Sequence, residues 1–149
     1  MTCRLVFKPE ECVACNACVI ACIDQKDTDT GAGERPCRKP LEYDKVWDAD
    51  ARRRALAAAC LHCVGASCIP ACPEGCIVRD EETGFVGYDD DTCSGCGACM
   101  EACAFGAITF SVDGKVRKCD GCMERVRRGL EPACTLTCPT HALILRRDD

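Results

Sequence analysis

The chain has 149 residues, of which 19 are cysteine, and a formal charge of −5 from 19 Lys and Arg against 24 Asp and Glu. Leu, Ile, Val and Phe together number 28, too few large apolar side chains to keep a charged chain folded without disulfide or metal staples. The basic residues are dispersed among acids, which argues against a nucleic-acid footprint, and no apolar stretch nears the roughly 18 to 20 residues of a membrane span.

From the N-terminus, Met1-Thr2-Cys3-Arg4 leads into a short apolar patch and then Lys8-Pro9-Glu10-Glu11, with neither a signal-type apolar region nor a twin arginine. A reducing, cytoplasmic setting is therefore expected, and it argues against nine disulfides with one thiol left over. Cys12, Cys15, Cys18 and Cys22 follow as C-x2-C-x2-C-x3-C, the spacing of bacterial ferredoxins. Residues 24 to 46, rich in Asp, Gly, Lys and Pro, predict a loop leaving this first unit. The Ala- and Arg-rich stretch from Asp50 to Ala59, capped by Asp48 or Asp50, predicts a helix that delivers the second group. That group is Cys60, Cys63, Cys68 and Cys72, with its middle gap widened to four residues and Pro73 after it. Ile77-Val78 reads as a strand that turns through Glu82-Thr83-Gly84 into Phe85-Val86-Gly87-Tyr88. Cys93, Cys96, Cys99 and Cys103 repeat the first spacing, and Ile108-Thr109-Phe110 then turns through Asp113-Gly114 into Lys115-Val116. The fourth group is Cys119, Cys122, Cys134 and Cys138. Its wide gap accommodates a predicted helix over Asp120 to Arg128, closed by Gly129, and Leu143-Ile144-Leu145 is the last strand. Arg125, Arg127 and Arg128 read as a solvated helix face, with a docking surface for an acidic partner as the alternative.

Sixteen cysteines thus fall into four groups of four. A cubane presents four irons at tetrahedral corners, and three thiolates from one tight loop reach only three of them. The fourth Cys of such a loop points away and ligates a neighbouring cluster, so four groups supply sixteen thiolates for four 4Fe-4S clusters. A zinc site would instead use two CxxC pairs a dozen or more residues apart. The segments after three groups also repeat: Cys72-Pro73-Glu74-Gly75-Cys76-Ile77, Cys103-Ala104-Phe105-Gly106-Ala107-Ile108 and Cys138-Pro139-Thr140-His141-Ala142-Leu143. Cys3, Cys37 and Cys76 lie outside the groups and are expected to be packing or surface thiols. His62 sits inside a group that already has four cysteines, so it is expected to pack or to donate behind the ligands, and His141 to pack or face water. No catalytic triad, phosphate loop or carboxylate pair stands out, so no catalytic residue is expected in this chain.

Lys118-Cys119-Asp120-Gly121-Cys122, Arg125, Gly129, Pro132-Ala133-Cys134 and Cys138-Pro139-Thr140, together with Cys60-Leu61-His62-Cys63, carry a family likeness. The chain resembles the four-cluster ferredoxin-type electron-transfer subunits of the dimethyl sulfoxide reductase and formate dehydrogenase family of molybdenum or tungsten enzymes. The resemblance implies an α+β fold of two nested bacterial-ferredoxin-like units, residues 1–46 plus 113–149 outside and 47–112 inside. It implies one cluster on Cys12, Cys15, Cys18 and Cys138, a second on Cys22, Cys119, Cys122 and Cys134, a third on Cys60, Cys63, Cys68 and Cys103, and a fourth on Cys72, Cys93, Cys96 and Cys99. Ala104 stands where a proline is usual, and Ala66-Ser67 where prolines commonly precede the third Cys. The partner implied is a catalytic molybdenum or tungsten bis-pterin subunit, with a further electron carrier or hydrogenase subunit as an additional candidate. A polyferredoxin of a hydrogenase or hydrogen-linked formate dehydrogenase assembly, or a free-standing one, is the alternative. The chain lacks the insertions and C-terminal extension of many relatives, which points to a soluble complex.

Four oxidised cubanes with thiolate ligands would add roughly eight negative charges to the chain. Lys118, next to Cys119, and Arg117 are expected to offset part of that charge locally and raise the potential there.

Overall fold

The computed structural model describes residues 2–43 and 54–148. Among them the strands form four two-stranded antiparallel pairs. β1 (Thr2–Phe7) pairs with β8 (Leu143–Asp148), from Thr2↔Asp148 to Phe7↔Leu143, so the first and last strands lie side by side. β2 (Lys39–Tyr43) pairs with β3 (Arg54–Ala58), β4 (Ile77–Arg79) with β5 (Val86–Tyr88), and β6 (Thr109–Phe110) with β7 (Val116–Arg117). Four short helices carry or follow the cysteine groups: α1 (Ala17–Gln25), α2 (Ala98–Glu101), α3 (Met123–Arg127) and α4 (Ala133–Leu136).

Both predicted hairpins form. In the first, the Asp80 N–H donates to the Phe85 carbonyl at 2.8 Å, and in the second the Ser111 N–H donates to the Lys115 carbonyl at 2.8 Å. The helix expected over 120–128 is the shorter α3, and it ends at Gly129 (φ +76), where Leu130 N–H returns to the Arg125 carbonyl.

Two expectations are corrected. The helix placed over 50–59 is a strand across 54–58, while its proposed caps Asp48 and Asp50 lie outside the described residues. Ala and Arg favour a helix intrinsically, but that preference is a few tenths of a kcal/mol per residue, and the five-residue ladder with β2 overrides it. The loop placed over 24–46 begins later, because α1 runs to Gln25, and it contains β2.

The core is thin and rich in sulfur. Ile77, Val86, Ile108 and Val116 pack with Cys76, Cys93 and Cys99, while the fully buried Phe85 packs with Cys3 and Val126. Leu143 and Ala57 pack with Cys134. The three surplus thiols, Cys3, Cys37 and Cys76, are all buried, as packing residues should be.

Candidate metal centre

Each group opens with the same backbone device. The second residue after the first cysteine has positive φ in all four: Ala14 (+56°), His62 (+48°), Gly95 (+73°) and Gly121 (+71°). In three of them this turn aims the N–H at the sulfur it follows, from His62 to Cys60 Sγ, Gly95 to Cys93 Sγ and Gly121 to Cys119 Sγ, each at 3.4 Å. A donor held against a sulfur stabilises a thiolate more than a thiol.

The fourth cysteines are cradled by the repeat that follows them. Gly75, Gly106 and His141, each three residues on, all have positive φ, which explains the repeat and puts the exposed His141 in a turn. Burial raises the pKa of Cys72, but hydrogen bonds from the Cys76 thiol and from the N–H groups of Cys76, Glu74 and Ile77 outweigh it and hold Cys72 below the ordinary thiol value. Cys138 is held down in the same way by the N–H groups of Leu143, Thr140 and Ala142 and the Thr140 hydroxyl. The N–H donors stand two, four and five residues after the cysteine in both cases. Cys103 accepts from Ala107 N–H at 3.4 Å.

Side chains from distant groups then converge. Cys22 of the first group lines one cleft with Cys119, Cys122 and Cys134 of the fourth. Cys60, Cys63 and Cys68 line a cavity of about 320 Å³ with Cys103 of the third group. Cys18 and Cys138 pack against the cluster that holds Cys134, and Cys72 packs against the one that holds Cys93 and Cys99. Cys15 and Cys96, the middle members of their loops, are exposed. Among the described residues no three His, Cys, Asp or Glu side chains close on a single ion; thiolates bound to separate corners of a cubane stand further apart than that. The donor set is soft sulfur with backbone N–H groups behind it, which suits iron–sulfur clusters.

The buried thiols are otherwise costly to ionise. Burial pushes Cys119 up to about 12 and raises Cys18, Cys68, Cys99, Cys122 and Cys134. The hydrogen bond that Cys22 shares with Cys37, together with burial, raises Cys22. Loading the sites therefore releases protons. Two buried cations face these sulfurs. Lys118, fully buried, sends its ammonium to the carbonyls of Val86 and Cys119 and lines the cavity of Cys60, Cys63, Cys68 and Cys103. The ammonium thus stands both at the Cys119 carbonyl and in the wall of the second group's cavity. Arg117 instead donates to the Lys26 carbonyl at 3.4 Å. Arg38, 3% exposed, lines the cleft of Cys22, Cys119, Cys122 and Cys134. Nothing in the charged segment around Arg38 marks it in the sequence.

One ring nitrogen of His62 is tied to the backbone, while the other, Nε2, is buried with no hydrogen-bond partner among the described residues. Its Nδ1 accepts the Val86 N–H at 3.0 Å and its ring lies 4.7 Å from that of Phe85. Burial, reinforced by the charge on Lys118, holds its pKa down to about 3. Lys26, just past the end of α1, clamps Asp120 at 2.5 Å, and Asp120 in turn accepts the Cys122 N–H at 2.9 Å, tying the helix that carries Cys22 to the fourth group. Arg127 and Arg128 are exposed, as expected of a solvated helix face, Arg125 is half-buried, and each has a partner. Arg127 pairs with Asp80 in the first hairpin, Arg125 donates to the Glu131 carbonyl and Gln25, and Arg128 pairs with Glu124.

Comparison with known proteins agrees with this chemistry. The family described as a 4Fe-4S dicluster domain matches residues 52–148, and a 4Fe-4S binding domain matches residues 9–22. The B subunit of the anaerobic dimethyl sulfoxide reductase of Escherichia coli is 36% identical over 141 residues, covering 89% of this chain and 67% of that subunit. The chain belongs to this family of iron–sulfur subunits. Within it, the B subunit of the Haemophilus influenzae anaerobic dimethyl sulfoxide reductase is 33% identical over 147 residues, covering 92% of this chain and 70% of its own length. The iron–sulfur subunit of the nitrate-inducible formate dehydrogenase of Escherichia coli is 31% identical over 150 residues, 89% of this chain and 50% of that subunit. As a member of the family, the chain is an iron–sulfur electron-transport protein. No helix among its described residues is long and apolar enough to cross a membrane.

Proposed function

We propose that this chain is the electron-transfer subunit of a molybdenum or tungsten oxidoreductase and holds four 4Fe-4S clusters. They would sit on Cys12, Cys15, Cys18 and Cys138; on Cys22, Cys119, Cys122 and Cys134; on Cys60, Cys63, Cys68 and Cys103; and on Cys72, Cys93, Cys96 and Cys99. The observation that carries the reading is the convergence of thiols across group boundaries, three from one loop with one from another, in the cleft at Cys22 and the cavity at Cys103. When bound, such clusters supply one-electron transfer. The chain itself contributes the thiolates, the N–H donors that tune them and the buried cations. The pairing of β1 with β8 supports an outer unit of 1–46 and 113–149 enclosing an inner one at 47–112. A catalytic bis-pterin subunit is the proposed partner and the cytoplasm the proposed compartment; relatives named as dimethyl sulfoxide reductase and formate dehydrogenase subunits favour an oxidoreductase of that kind over a hydrogenase or a free-standing polyferredoxin.

Elemental analysis of the tagged chain, purified anaerobically from its own host with its companions, tests this. About sixteen iron atoms per chain with stoichiometric molybdenum or tungsten is the expected result. Nickel with a hydrogenase-like companion, iron with no companion, or zinc in place of iron would each overturn it.

A further inference from the structure

Arg38 stands immediately before β2 and is 3% exposed. Its Nη1 donates to the Ala57 carbonyl of β3 at 2.9 Å, which anchors the side chain three residues before Cys60. Its side chain lines the cleft of Cys22, Cys119, Cys122 and Cys134, and the Ala57 to which it is anchored packs in one cluster with Cys134, Cys18 and Cys138. Those thiols come from both proposed outer sites. Among the described residues no Asp or Glu forms an ion pair with Arg38. A buried guanidinium cannot shed its proton, so it needs negative charge nearby.

We propose that Arg38 is the shared counter-cation of the two outer cluster sites and raises the reduction potential of both above what the same ligands would give alone. This deepens the four-cluster reading and rests on it. A cubane gains one negative charge on reduction, and a fixed cation in a low-dielectric wall favours the more negative state. The planar fork lets one residue serve two sites while its remaining donor holds β3. Arg38 also lines a cavity with Cys60 and Cys63, but the site of Cys60, Cys63, Cys68 and Cys103 has a buried cation of its own in Lys118. The signature of Arg38 is therefore a joint shift of the two outer potentials that exceeds any shift at the inner ones.

The test is a redox titration followed by EPR on the anaerobically purified full chain with its companions, comparing Arg38→Gln and Arg38→Lys with the unaltered protein. Cys12→Ser and Cys22→Ser chains identify the two outer signals. Arg38→Gln keeps an amide donor for Ala57 but removes the charge, and Arg38→Lys keeps the charge but loses the planar fork. We expect the reduced-to-oxidised ratio of the outer clusters at fixed potential to fall by about tenfold in Arg38→Gln, a potential about 59 mV lower, and to stay within about threefold of the unaltered protein in Arg38→Lys. A purely structural role for Arg38 predicts the opposite order of damage. Equal shifts of all four clusters, or no shift in an iron-replete Arg38→Gln chain, overturn the assignment. If Arg38→Gln fails to retain iron, Arg38→Lys decides, and a lowered outer pair in that iron-replete chain overturns it. Iron well below sixteen in the unaltered chain would instead overturn the four-cluster reading itself.

Discussion

Replacing Gly121 with Ala tests whether the fourth loop needs both its left-handed turn and the close approach of Phe85. Gly121 has φ +71°, and an added Cβ would overlap Phe85 Cδ2 and stand 2.5 Å from its Cγ. Phe85 is fully buried, so its ring has no solvent to swing into. The left-handed backbone costs an L-residue about 1–2 kcal/mol, and overpacking a filled core adds about 1–3 kcal/mol. Gly75→Ala is the matched control, with φ +64° and nothing within 4 Å of the new Cβ, so it meets the backbone cost alone. The difference of about 1–3 kcal/mol corresponds to about 5- to 150-fold in the population of the opened loop. Iron capture by a chelator under anaerobic conditions reads that population when reclosing is fast. Gly121→Ala should lose iron faster than Gly75→Ala by about that factor, and Phe85→Leu should recover part of the difference in a double-mutant cycle. Equal rates for the two alanine variants, or no coupling between positions 85 and 121, would refute the packing account.

Two further outcomes follow from the buried charges. Lys118→Met should lower the potential of the cluster proposed at Cys60, Cys63, Cys68 and Cys103, whose cavity the ammonium lines, more than that of the cluster proposed at Cys119; redox-titrated EPR on chains with each site marked by a Cys→Ser change separates the two. The pKa of His62, held down to about 3 against an ordinary 6.5, also makes the second loop acid-sensitive. Above pH 6.5 the ring is neutral folded or unfolded and its contribution is complete; between 6.5 and 3 the unfolded loop takes up a proton that the folded one refuses, so stability falls by at most tenfold per pH unit. His62→Gln keeps an acceptor for the Val86 N–H and removes the titration, so its chelator-capture rate should rise less steeply over that range, and equal slopes would refute the account.

The sulfur chemistry is legible in the sequence because spacing encodes it directly. Loops of three cysteines with a fourth beyond them, and the repeat after Cys72, Cys103 and Cys138, translate into the N–H donors two, four and five residues past Cys72 and Cys138. Glycine marks the left-handed positions at Gly95 and Gly121, but Ala14 and His62 adopt the same conformation with no such mark, since only tertiary context selects it there. The sequence misleads at β3 because a short Ala-rich stretch has no period strong enough to reveal a partner strand at 39–43. The electrostatics are least legible, for a geometric reason. Lys118 is covalently next to Cys119, yet its ammonium lines the cavity of the second group. Arg38 is 81 or more residues from the fourth group, yet it lines the cleft of Cys119 and Cys134. Successive side chains at a strand end project to opposite sides, so a charge beside one ligand in sequence can also reach a second set of thiols. The cation that tunes a cluster should therefore be sought across the core from its cysteines, on the strand pair that packs against them.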